Sequence, residues 1–424
     1  LTMARKMKDS GIEWIGEIPE GWEIGQIGQL YSERRTKVSD KDYPPLSVTM
    51  KGILPQLSTA AKTDAHDDRK LVCKGDFAIN SRSDRRGSCG ISEQDGSISL
   101  INTVLQPRGE MNPGYYNWLF HTSMFADEFY KWGHGIVDDL WTTGWSDMKK
   151  IGVPVPSKCE QKQLAEHLNV ECSHIDSILS KTRASIEEYK KLKQAIITQA
   201  VTKGVRGERE RKDSGNPWFG QIPTDWKLSR VGLHFSIILG KMLCNAPLND
   251  TYTLEPYYCA ADVHFDGVAD GERKKMWFSP IEKDLYRVSV GDLLVVEGGA
   301  GAGGSAIVEN QDSYTYIQNS IMIVRSKGNT DNRYLRYLLE FLVKQGYIDI
   351  VCNKATIPHF TKDKLSCVPF CLCPTGEQKE IADYLDAKCA EIDGLIAKKE
   401  QLVKELESYK KSLIYEVVTG KREV

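Results

Sequence analysis

The sequence has no apolar run near the roughly 18 residues that a membrane-spanning helix needs. Its first residues, LTMARKMKDSG, also lack the apolar core of a secretory signal. Neither a membrane span nor a signal peptide is expected. The sequence therefore predicts a soluble cytoplasmic protein.

No metal-ligand spacing is found among the cysteines. The chain has 11 of them, and they are scattered. Cys371 and Cys373 are separated by a single residue, which is closer than the usual CxxC pair, and no second pair or histidine cluster accompanies them. Buried reduced thiols are the favoured interpretation, and no metal site is expected.

The chain also lacks an excess of basic residues. It has 56 Lys and Arg against 58 Asp and Glu, for a net charge of −2. This balance argues against a nucleic-acid-binding protein that works alone, because phosphate contacts need a basic face. It remains compatible with one whose charges are segregated, or whose partner subunits supply most contacts to the nucleic-acid backbone.

An internal repeat is the most informative feature that is present. KDSGIEWIGEIPEGW begins at Lys8 and KDSGNPWFGQIPTDW at Lys212, 204 positions later. EQKQLAEHLNVECSHIDSIL begins at Glu160 and EQKEIADYLDAKCAEIDGLI at Glu377, 217 positions later. The segments between these phrases differ in length and wording. Divergence on a repeated frame predicts two different binding surfaces.

Each half divides into three parts. The WxGxIPxxW entry contains Gly and Pro, which predicts an extended lead-in whose tryptophans pack on the following domain. A strand-rich domain follows, and then a helix. Within the strand-rich domains we align Gly75-Asp76 with Gly291-Asp292, Asn102-Thr103 with Asn319-Ser320, and Val153-Pro154 with Val368-Pro369. Helices are predicted at 115–130 and 332–345.

The third part of each half is a helix of about 40 residues, roughly 60 Å at 1.5 Å per residue. Its apolar positions alternate in steps of four and three, which predicts a coiled-coil seam. The residues expected to form the seam or to dock partner subunits are Leu168, Ile175, Leu179, Ile186, Tyr189, Leu385, Ile392, Ile396, Val403 and Leu406. Both seams are interrupted by lysine, at Lys193 and Lys410. The simplest partner for each helix is the other copy, in an antiparallel pair; the alternative is that each helix docks on another protein.

Catalysis by this chain is not expected. Asn216-Pro217-Trp218-Phe219 resembles the NPPF-type motif of amino-methyltransferases, but its counterpart in the repeat is Ile12-Glu13-Trp14-Ile15, and no FxGxG cofactor loop is present. The glycine run Gly298–Gly304 lacks the GK[ST] ending and the following helix of a nucleotide-binding loop. It predicts either a plain hairpin tip or a tip that approaches a nucleic-acid backbone.

The loop that corresponds to the glycine run in the first half is Ser81–Gly87, which contains three arginines. Arginines on one loop can bind phosphate or read guanine, although a solvated basic turn is the alternative. The candidate DNA-binding residues are Lys51, Arg69, Lys70, Arg82, Ser83, Arg85, Arg86, Lys241, Lys274, Lys275, Gly299, Gly301, Lys354 and Thr356. Lys354 and Thr356 belong to a stretch that has no clear match in the first half, where His134–Val137 is the candidate counterpart.

Together these features resemble the DNA-specificity subunit of a type I restriction–modification system along essentially the whole chain. The motifs that carry the resemblance are the two KDSGxxWxGxIPxxW openings, the Gly-Asp turns, the stretch Thr356–Lys362, the EQK helix starts, and the closing AVTKG and VVTGK. The resemblance implies an α+β fold with two strand-rich target-recognition domains, separated by a pair of long antiparallel coiled-coil helices and related by an internal pseudo-twofold repeat. We expect recognition domains at 1–156 and 205–373, and spacer helices at 157–204 and 374–424.

The resemblance also implies a function without catalysis. Each recognition domain would read one half of a bipartite, asymmetric site on double-stranded DNA. The helices would set the gap and dock two methyltransferase subunits, which bind S-adenosylmethionine and methylate adenine N6; this chain would bind no cofactor. Motor-nuclease subunits would complete the restriction complex. The competing hypothesis is a bivalent adaptor that binds proteins rather than DNA through two modules on a coiled-coil spacer.

Overall fold

The computed structural model describes residues 5–56, 67–109, 111–135, 141–310, 314–352 and 358–424. Contacts divide the chain into two units, Leu1–Ala184 with Lys399–Val424, and Ser185–Lys398. Each unit is a mixture of short strands and helices. Among the described helices, none is long and apolar enough to cross a membrane.

The first unit begins with the entry motif and a strand-rich region. Its strands are β1 (Met7–Asp9), β2 (Glu17–Pro19), β3 (Glu23–Gln26), β4 (Tyr31–Glu33), β5 (Lys37–Val38), β6 (Leu46–Thr49), β7 (Gly52–Pro55), β8 (Arg69–Val72), β9 (Phe77–Asn80), β10 (Cys89–Ile91), β11 (Gly96–Ile98), β12 (Asn102–Pro107) and β13 (Gly152–Val155). Its helices are α1 (Ile27–Leu30), α2 (Pro113–Phe120), α3 (Ser123–Lys131), α4 (Trp145–Met148) and the first part of α5 (Lys158–Lys203).

The second unit has the same kinds of element in a similar order. Its strands are β14 (Arg211–Asp213), β15 (Gln221–Pro223), β16 (Lys227–Arg230), β17 (Phe235–Leu239), β18 (Thr253–Tyr258), β19 (Val263–His264), β20 (Gly267–Val268), β21 (Lys274–Phe278), β22 (Leu293–Val296), β23 (Ser305–Ile307), β24 (Tyr316–Ile317), β25 (Ile321–Ser326) and β26 (Pro369–Leu372). Its helices are α6 (Val231–His234), α7 (Pro280–Tyr286), α8 (Asn332–Lys344), α9 (Tyr347–Val351), α10 (Lys362–Ser366) and the first part of α11 (Thr375–Val418).

The main sheet has the same strand order in both units. It runs β10-β9-β12-β4 in the first and β23-β22-β25-β17 in the second, with antiparallel neighbours throughout. Its central strands are short runs of buried, mostly apolar residues, such as Phe77–Asn80 and Leu293–Val296. A second, three-stranded sheet accompanies it, β11-β8-β5 in one unit and β21-β18-β24 in the other. We call the strand-rich part of each unit its head, β1–β13 in the first unit and β14–β26 in the second. The main sheet is the shared frame of the two heads.

The entry motif forms a small hairpin in both units. β1 pairs with β2 and β14 with β15 in antiparallel register. Trp14, Trp22 and Trp226 are almost completely buried, whereas Trp218 is half-buried. Trp218 still packs on the core of its unit, with its ring centroid 5.4 Å from that of Tyr347, so the predicted packing role is confirmed for all four repeated tryptophans.

Two of our sequence alignments inside the heads are wrong by two residues. In the main sheets Asn102 pairs with Asn80, and Ile321 pairs with Val296, so Asn102 corresponds to Ile321 rather than to Asn319. A similar Asn-Thr and Asn-Ser wording misled the alignment, because strand register depends on pairing rather than on letters.

The last strand of each head shows the second misalignment. Gly152 pairs with Gln26 and Pro369 with Arg230, and those partners occupy equivalent places in the repeat. Val153 therefore corresponds to Phe370, not to Val368. Here the shared Val-Pro wording was coincidental.

The helix predicted at 115–130 is two helices, α2 and α3. Thr122 separates them, because its hydroxyl accepts a hydrogen bond from the backbone N–H of Phe125 at 3.2 Å and so caps the start of α3. The prediction at 332–345 is confirmed as α8.

In each unit one end of α5 packs against one end of α11. The core of the first unit includes Leu168 and Ile175 from α5 together with Leu413 and Val417 from α11. The core of the second unit includes Ile197 and Val201 from α5 together with the α11 residues Ile381, Leu385 and Cys389. These positions are therefore buried where the two helices and the strand-rich region of each unit meet.

The lysines that interrupt the seams have carboxylate partners on the opposite helix. Lys410 Nζ lies 2.6 Å from Asp176 Oδ1 in the first unit. Lys193 Nζ lies 2.6 Å from Asp393 Oδ2 in the second. In the first unit Arg183 also pairs with Glu407. Because partner numbers fall along α11 as they rise along α5, the paired segments of that unit are antiparallel.

Candidate nucleic-acid interface

The arginine-rich loop of the first unit is the tip of the β9–β10 hairpin, and a buried carboxylate fixes the start of β9. Asp76 is 2% exposed and accepts hydrogen bonds from Arg34 Nε at 2.6 Å and Nη2 at 3.1 Å. It also accepts the backbone N–H of Cys73 at 2.9 Å. These hydrogen bonds raise the pKa of Arg34. The Arg34–Asp76 ion pair holds the base of the β9–β10 hairpin, and this fixes where the tip of the hairpin lies.

The second unit anchors its glycine-rich hairpin in the same way with a different arginine. Asp292 is 5% exposed and accepts Arg325 Nε and Nη2, both at 2.7 Å, and the backbone N–H of Ser289 at 2.8 Å. Arg325 lies on β25, whereas Arg34 follows β4. The predicted Gly-Asp turns are confirmed, with φ of +89° at Gly75 and +86° at Gly291. The arginine partners were not predicted, because their places in the two sequences do not correspond.

Two of the three loop arginines, Arg85 and Arg86, are exposed in different surroundings. Arg85 has a side chain that is 70% exposed, with Asp84 as a distant partner at 3.8 Å. Arg86 forms an ion pair with Asp127 and lies over the ring of Tyr130, 5.3 Å from its centroid. A short 3-10 helix, Ser83–Arg85, shapes the tip. The loop therefore presents positive charge to solvent.

The backbone of Arg82 is fixed from both sides. Its N–H donates to Asn80 Oδ1 at 3.0 Å, and its carbonyl accepts the hydroxyl of Tyr130 at 2.7 Å. It also forms an antiparallel bridge with Thr142, which in turn bridges His134. These contacts bring two predicted loop candidates, Arg82 and His134, together beside Thr142.

The glycine-rich loop of the second unit is a hairpin tip, which both interpretations predicted. Val296 N–H donates to Gly304 O at 2.8 Å and Gly303 N–H to Val296 O at 3.0 Å. An added Cβ would meet Val343 and Ile348 at Gly303, but nothing within 4 Å at Gly299. Gly303 is therefore required for packing, whereas Gly299 and Gly301, at the open part of the loop, leave backbone accessible.

Three predicted DNA-binding residues make contacts inside their heads instead of pointing freely to solvent. Arg69 is 7% exposed and donates to the hydroxyl and carbonyl of Ser97 at 2.9 and 3.0 Å. Lys70 donates to Asn102 O at 2.7 Å. Lys241 is 8% exposed, pairs with Glu282 and lies over Tyr252 and Phe278.

Burial lowers the pKa of both Arg69 and Lys70. Their hydrogen bonds stay inside the first unit, where Arg69 joins two strands of the second sheet and Lys70 joins that sheet to β12 of the main sheet. A sequence alone does not reveal such partners, because Ser97 comes from β11, which pairs with β8, and Asn102 comes from β12 of the main sheet.

The remaining candidates lie in several places. Lys51 is exposed in the turn between β6 and β7, and Lys274 and Lys275 are exposed on β21. Ser83 begins the short 3-10 helix. Lys354 and Thr356 lie outside the described residues.

Two residues that the sequence did not single out occupy the same place in the two heads. Thr142 bridges Arg82 in the first unit, and His359 bridges Gly298 in the second. The stretch around Thr356 lies outside the described residues, so its suggested counterpart at His134–Val137 stays a prediction; the structural counterpart of His359 is Thr142. A constant offset of 217 positions, as between the EQK motifs, would have identified it.

The predicted docking residues on the long helices mainly contact the other helix or the heads. Leu168, Ile175, Leu179, Ile186, Leu385 and Ile392 are buried, and Tyr189, Ile396, Val403 and Leu406 are half-buried. The apolar side chains that remain exposed on these helices include Val170, Ile178, Leu192, Leu402 and Tyr409. Because the seam is largely buried, the exposed outer faces of the helices are the surface that remains available to a partner protein.

Comparisons with known proteins find similarity to proteins of one kind. The family described as the type I restriction modification DNA specificity domain matches residues 224–405. A protein of Methanocaldococcus jannaschii assigned as the type I restriction enzyme MjaX specificity subunit is 25% identical over 435 residues, covering 96% of this chain and 95% of that protein.

Two solved structures share the fold. One comes from work on complex assembly and conformational transition of the type I R-M system, with a TM-score of 0.72 at 14% identity over 95% of this chain and 98% of the other. The HsdS subunit from Thermoanaerobacter tengcongensis has a TM-score of 0.55 at 16% identity over 96% of this chain and 98% of the other.

Proposed function

We propose that the chain is a specificity subunit of a type I restriction–modification system, which recognises DNA for a methyltransferase complex and reads a bipartite, asymmetric site with its two heads. The observation that carries this proposal is the pair of anchored hairpins. They share a strand order and a buried Asp–Arg clamp. Their tips differ completely, since one presents arginines and the other glycines.

The different tips suit different kinds of contact. Arg85 and Arg86 are exposed guanidinium groups, which can bind phosphate or a guanine edge. The small residues around Gly299 let a phosphate or base approach the tip closely, while the N–H of Gly299 itself donates to Pro358 O at 3.2 Å. Two half-sites read by such unlike tips would differ in sequence, which is an asymmetric site.

The two long helices are the proposed spacer. Each unit contains an antiparallel pairing of an α5 segment with an α11 segment, held by an apolar seam and a lysine–aspartate pair. A spacer of fixed length would set the number of unread base pairs, since each contributes about 3.4 Å of rise. The exposed apolar residues of the outer helix faces are the proposed docking surface for two methyltransferase subunits.

Chemistry belongs to the partners in this proposal. Methyltransferase subunits would bind S-adenosylmethionine and methylate adenine N6, and motor-nuclease subunits would join them for restriction. The near-neutral charge of this chain fits a complex in which the methyltransferases supply many of the contacts to DNA phosphates.

The test is to express this chain with its cognate methyltransferase subunit in a host that lacks adenine methylation of its own, and to sequence the methylated bases. We expect one motif made of two unlike half-sites with a constant gap. The control is the methyltransferase subunit alone, which should leave this motif unmethylated. A single uninterrupted motif would contradict the bipartite site, and complexes that form without any DNA specificity would favour the protein-binding adaptor instead.

A further inference from the structure

The hairpin tip of each head meets the segment before the last short helix through one shared backbone bridge, which carries different side chains in the two heads. In the first unit Arg82 lies opposite Thr142, and in the second Gly298 lies opposite His359. The bridge is therefore a common position at which the two heads differ in chemistry.

Neighbouring residues show which side of the bridge faces outward. Thr143 and Phe360 directly follow the bridge residues and are fully buried. Their backbone N–H groups donate to the hairpin loops, to Ser81 O at 3.0 Å and to Glu297 O at 2.6 Å. Successive side chains of extended backbone point to opposite faces, so Thr142 and His359 lie on the outer face. His359 is exposed.

The side chains on this outer face are exchanged between the heads. In the first unit the hairpin supplies a long side chain, Arg82, and the facing strand a short one, Thr142. In the second unit the hairpin supplies none, and the imidazole of His359 lies over Gly298, with Nδ1 3.3 Å from the position of a Cβ there. Directly opposed residues share one face of a strand pair, so the imidazole occupies the face on which Arg82 lies in the other head.

The backbone of His359 is fixed as firmly as that of Arg82. Its carbonyl accepts Lys364 Nζ at 2.7 Å and Cys352 Sγ at 3.2 Å. Phe360, the next residue, is anchored in the core of the unit. An exposed polar side chain on a fixed backbone is what base recognition requires, because it loses little freedom on binding.

We propose that His359 is a specificity-determining residue of the second head, in the place that Arg82 holds in the first. This inference rests on the proposed function. An imidazole N–H matches the N7 acceptor of a purine in the major groove, whereas a guanidinium matches N7 and O6 of guanine together. The two heads would thus read different bases through the same point of the frame.

The experiment uses the full chain assembled with its methyltransferase and a DNA library that contains every single-base change in both half-sites. The variants are His359→Ala and Arg82→Ala, and the matched control is His264→Ala, which removes another exposed histidine of the second unit. Methylation of each library member gives the discrimination at each base pair. Melting of each variant confirms that it is folded.

We expect His359→Ala to lower the discrimination at one base pair of one half-site roughly 10- to 100-fold, within the range of a single base contact. Arg82→Ala should do the same in the other half-site only, and His264→Ala should change neither. Unchanged discrimination with His359→Ala, or an equal loss on all library members, would overturn the assignment. Failure of the proposed function is distinct, because it would already appear as absent bipartite methylation by the unaltered chain.

Discussion

Replacing Glu377 with Gln should destabilise the second unit far more than Glu160→Gln destabilises the first. The two glutamates are equivalent in the repeat, and each accepts the indole N–H of an entry-motif tryptophan at 3.2 Å, Trp226 and Trp22 respectively. Each also pairs with an arginine, Arg209 or Arg5. The two sites therefore have the same chemistry in different degrees of burial.

The difference in burial gives the magnitude. The Glu377 side chain is 0% exposed and its partner Arg209 is 21% exposed, whereas Glu160 and Arg5 are 32% and 31% exposed. Breaking a buried ion pair costs about 3–5 kcal/mol, and an exposed pair contributes about 0–1 kcal/mol. Since Arg209 keeps some contact with water and Gln keeps one acceptor oxygen, we expect about 3 kcal/mol for Glu377→Gln and about 1 kcal/mol for Glu160→Gln.

Hydrogen–deuterium exchange measures the two units separately in one sample, which a single melting curve of a two-unit chain does not. A difference of about 2 kcal/mol is roughly a 30-fold larger rise in the opening constant. It should appear in β16 and in the start of α11 for Glu377→Gln, and in β3 and the start of α5 for Glu160→Gln. Equal effects, or a larger effect of Glu160→Gln, would refute the argument from burial.

Further expectations concern binding, spacing, packing and pH. Replacing Arg82, Arg85 and Arg86 with Ala should weaken DNA binding by the assembled complex about 10- to 100-fold and lower its salt dependence, while assembly is retained; unchanged affinity at physiological salt would exclude this loop. Inserting one heptad into both long helices should lengthen the gap between methylated half-sites and leave each half-site unaltered; an unchanged gap would contradict the spacer. Gln378→Leu should destabilise the second unit by about 2–4 kcal/mol in urea unfolding, because the backbone N–H of Asp331 and the carbonyl of Cys373 lose their hydrogen-bond partners, now at 3.0 and 2.8 Å. The matched control is Gln401→Leu at an exposed position of the same helix, and this change should have little effect. Burial raises the pKa of Glu160, but hydrogen bonds from Arg5, Ser157 and Trp22 outweigh burial and lower it. The contribution of Glu160 to stability is therefore present above the ordinary pKa of about 4.3 and is lost as pH falls through the lowered value. Hydrogen exchange in β3 should rise below about pH 4 in the unaltered chain, and it should rise less in Glu160→Gln.

The repeat, the long helices and the hairpin tips could be predicted from the sequence because each depends on local wording or periodicity. Strand register could not, since Asn102 and Asn319 look alike but only the pairing with β9 and β22 decides their places. Which basic side chains are buried and which are exposed could not be predicted either. Arg69 and Arg85 are both arginines near a turn, yet Ser97 buries one and solvent surrounds the other.

The EQK motif also makes long-range contacts that its sequence pattern does not reveal. The sequence indicates a helix start at Glu160 and Glu377, but the structure adds that each glutamate holds an entry tryptophan and that each following glutamine joins the helix to the head. Gln161 accepts the backbone N–H of Asn112 at 2.8 Å, and Gln378 accepts that of Asp331 at 3.0 Å. These contacts join residues 49 and 47 positions apart along the chain, beyond the reach of any local pattern.

The repeated phrases supply the internal contacts of each head, and this separates the residues that hold the frame from those that are free to vary. The closing VVTGK packs on the first entry motif, where Lys421 Nζ donates to Ile15 O at 2.9 Å and Tyr415 donates to the same carbonyl at 3.0 Å. In the second unit Gly204 of AVTKG lies against Trp226. Changes to these phrases should therefore act on folding, whereas changes at the Arg82 and His359 bridges, which the repeat leaves unlike, should act on the DNA sequence that is read.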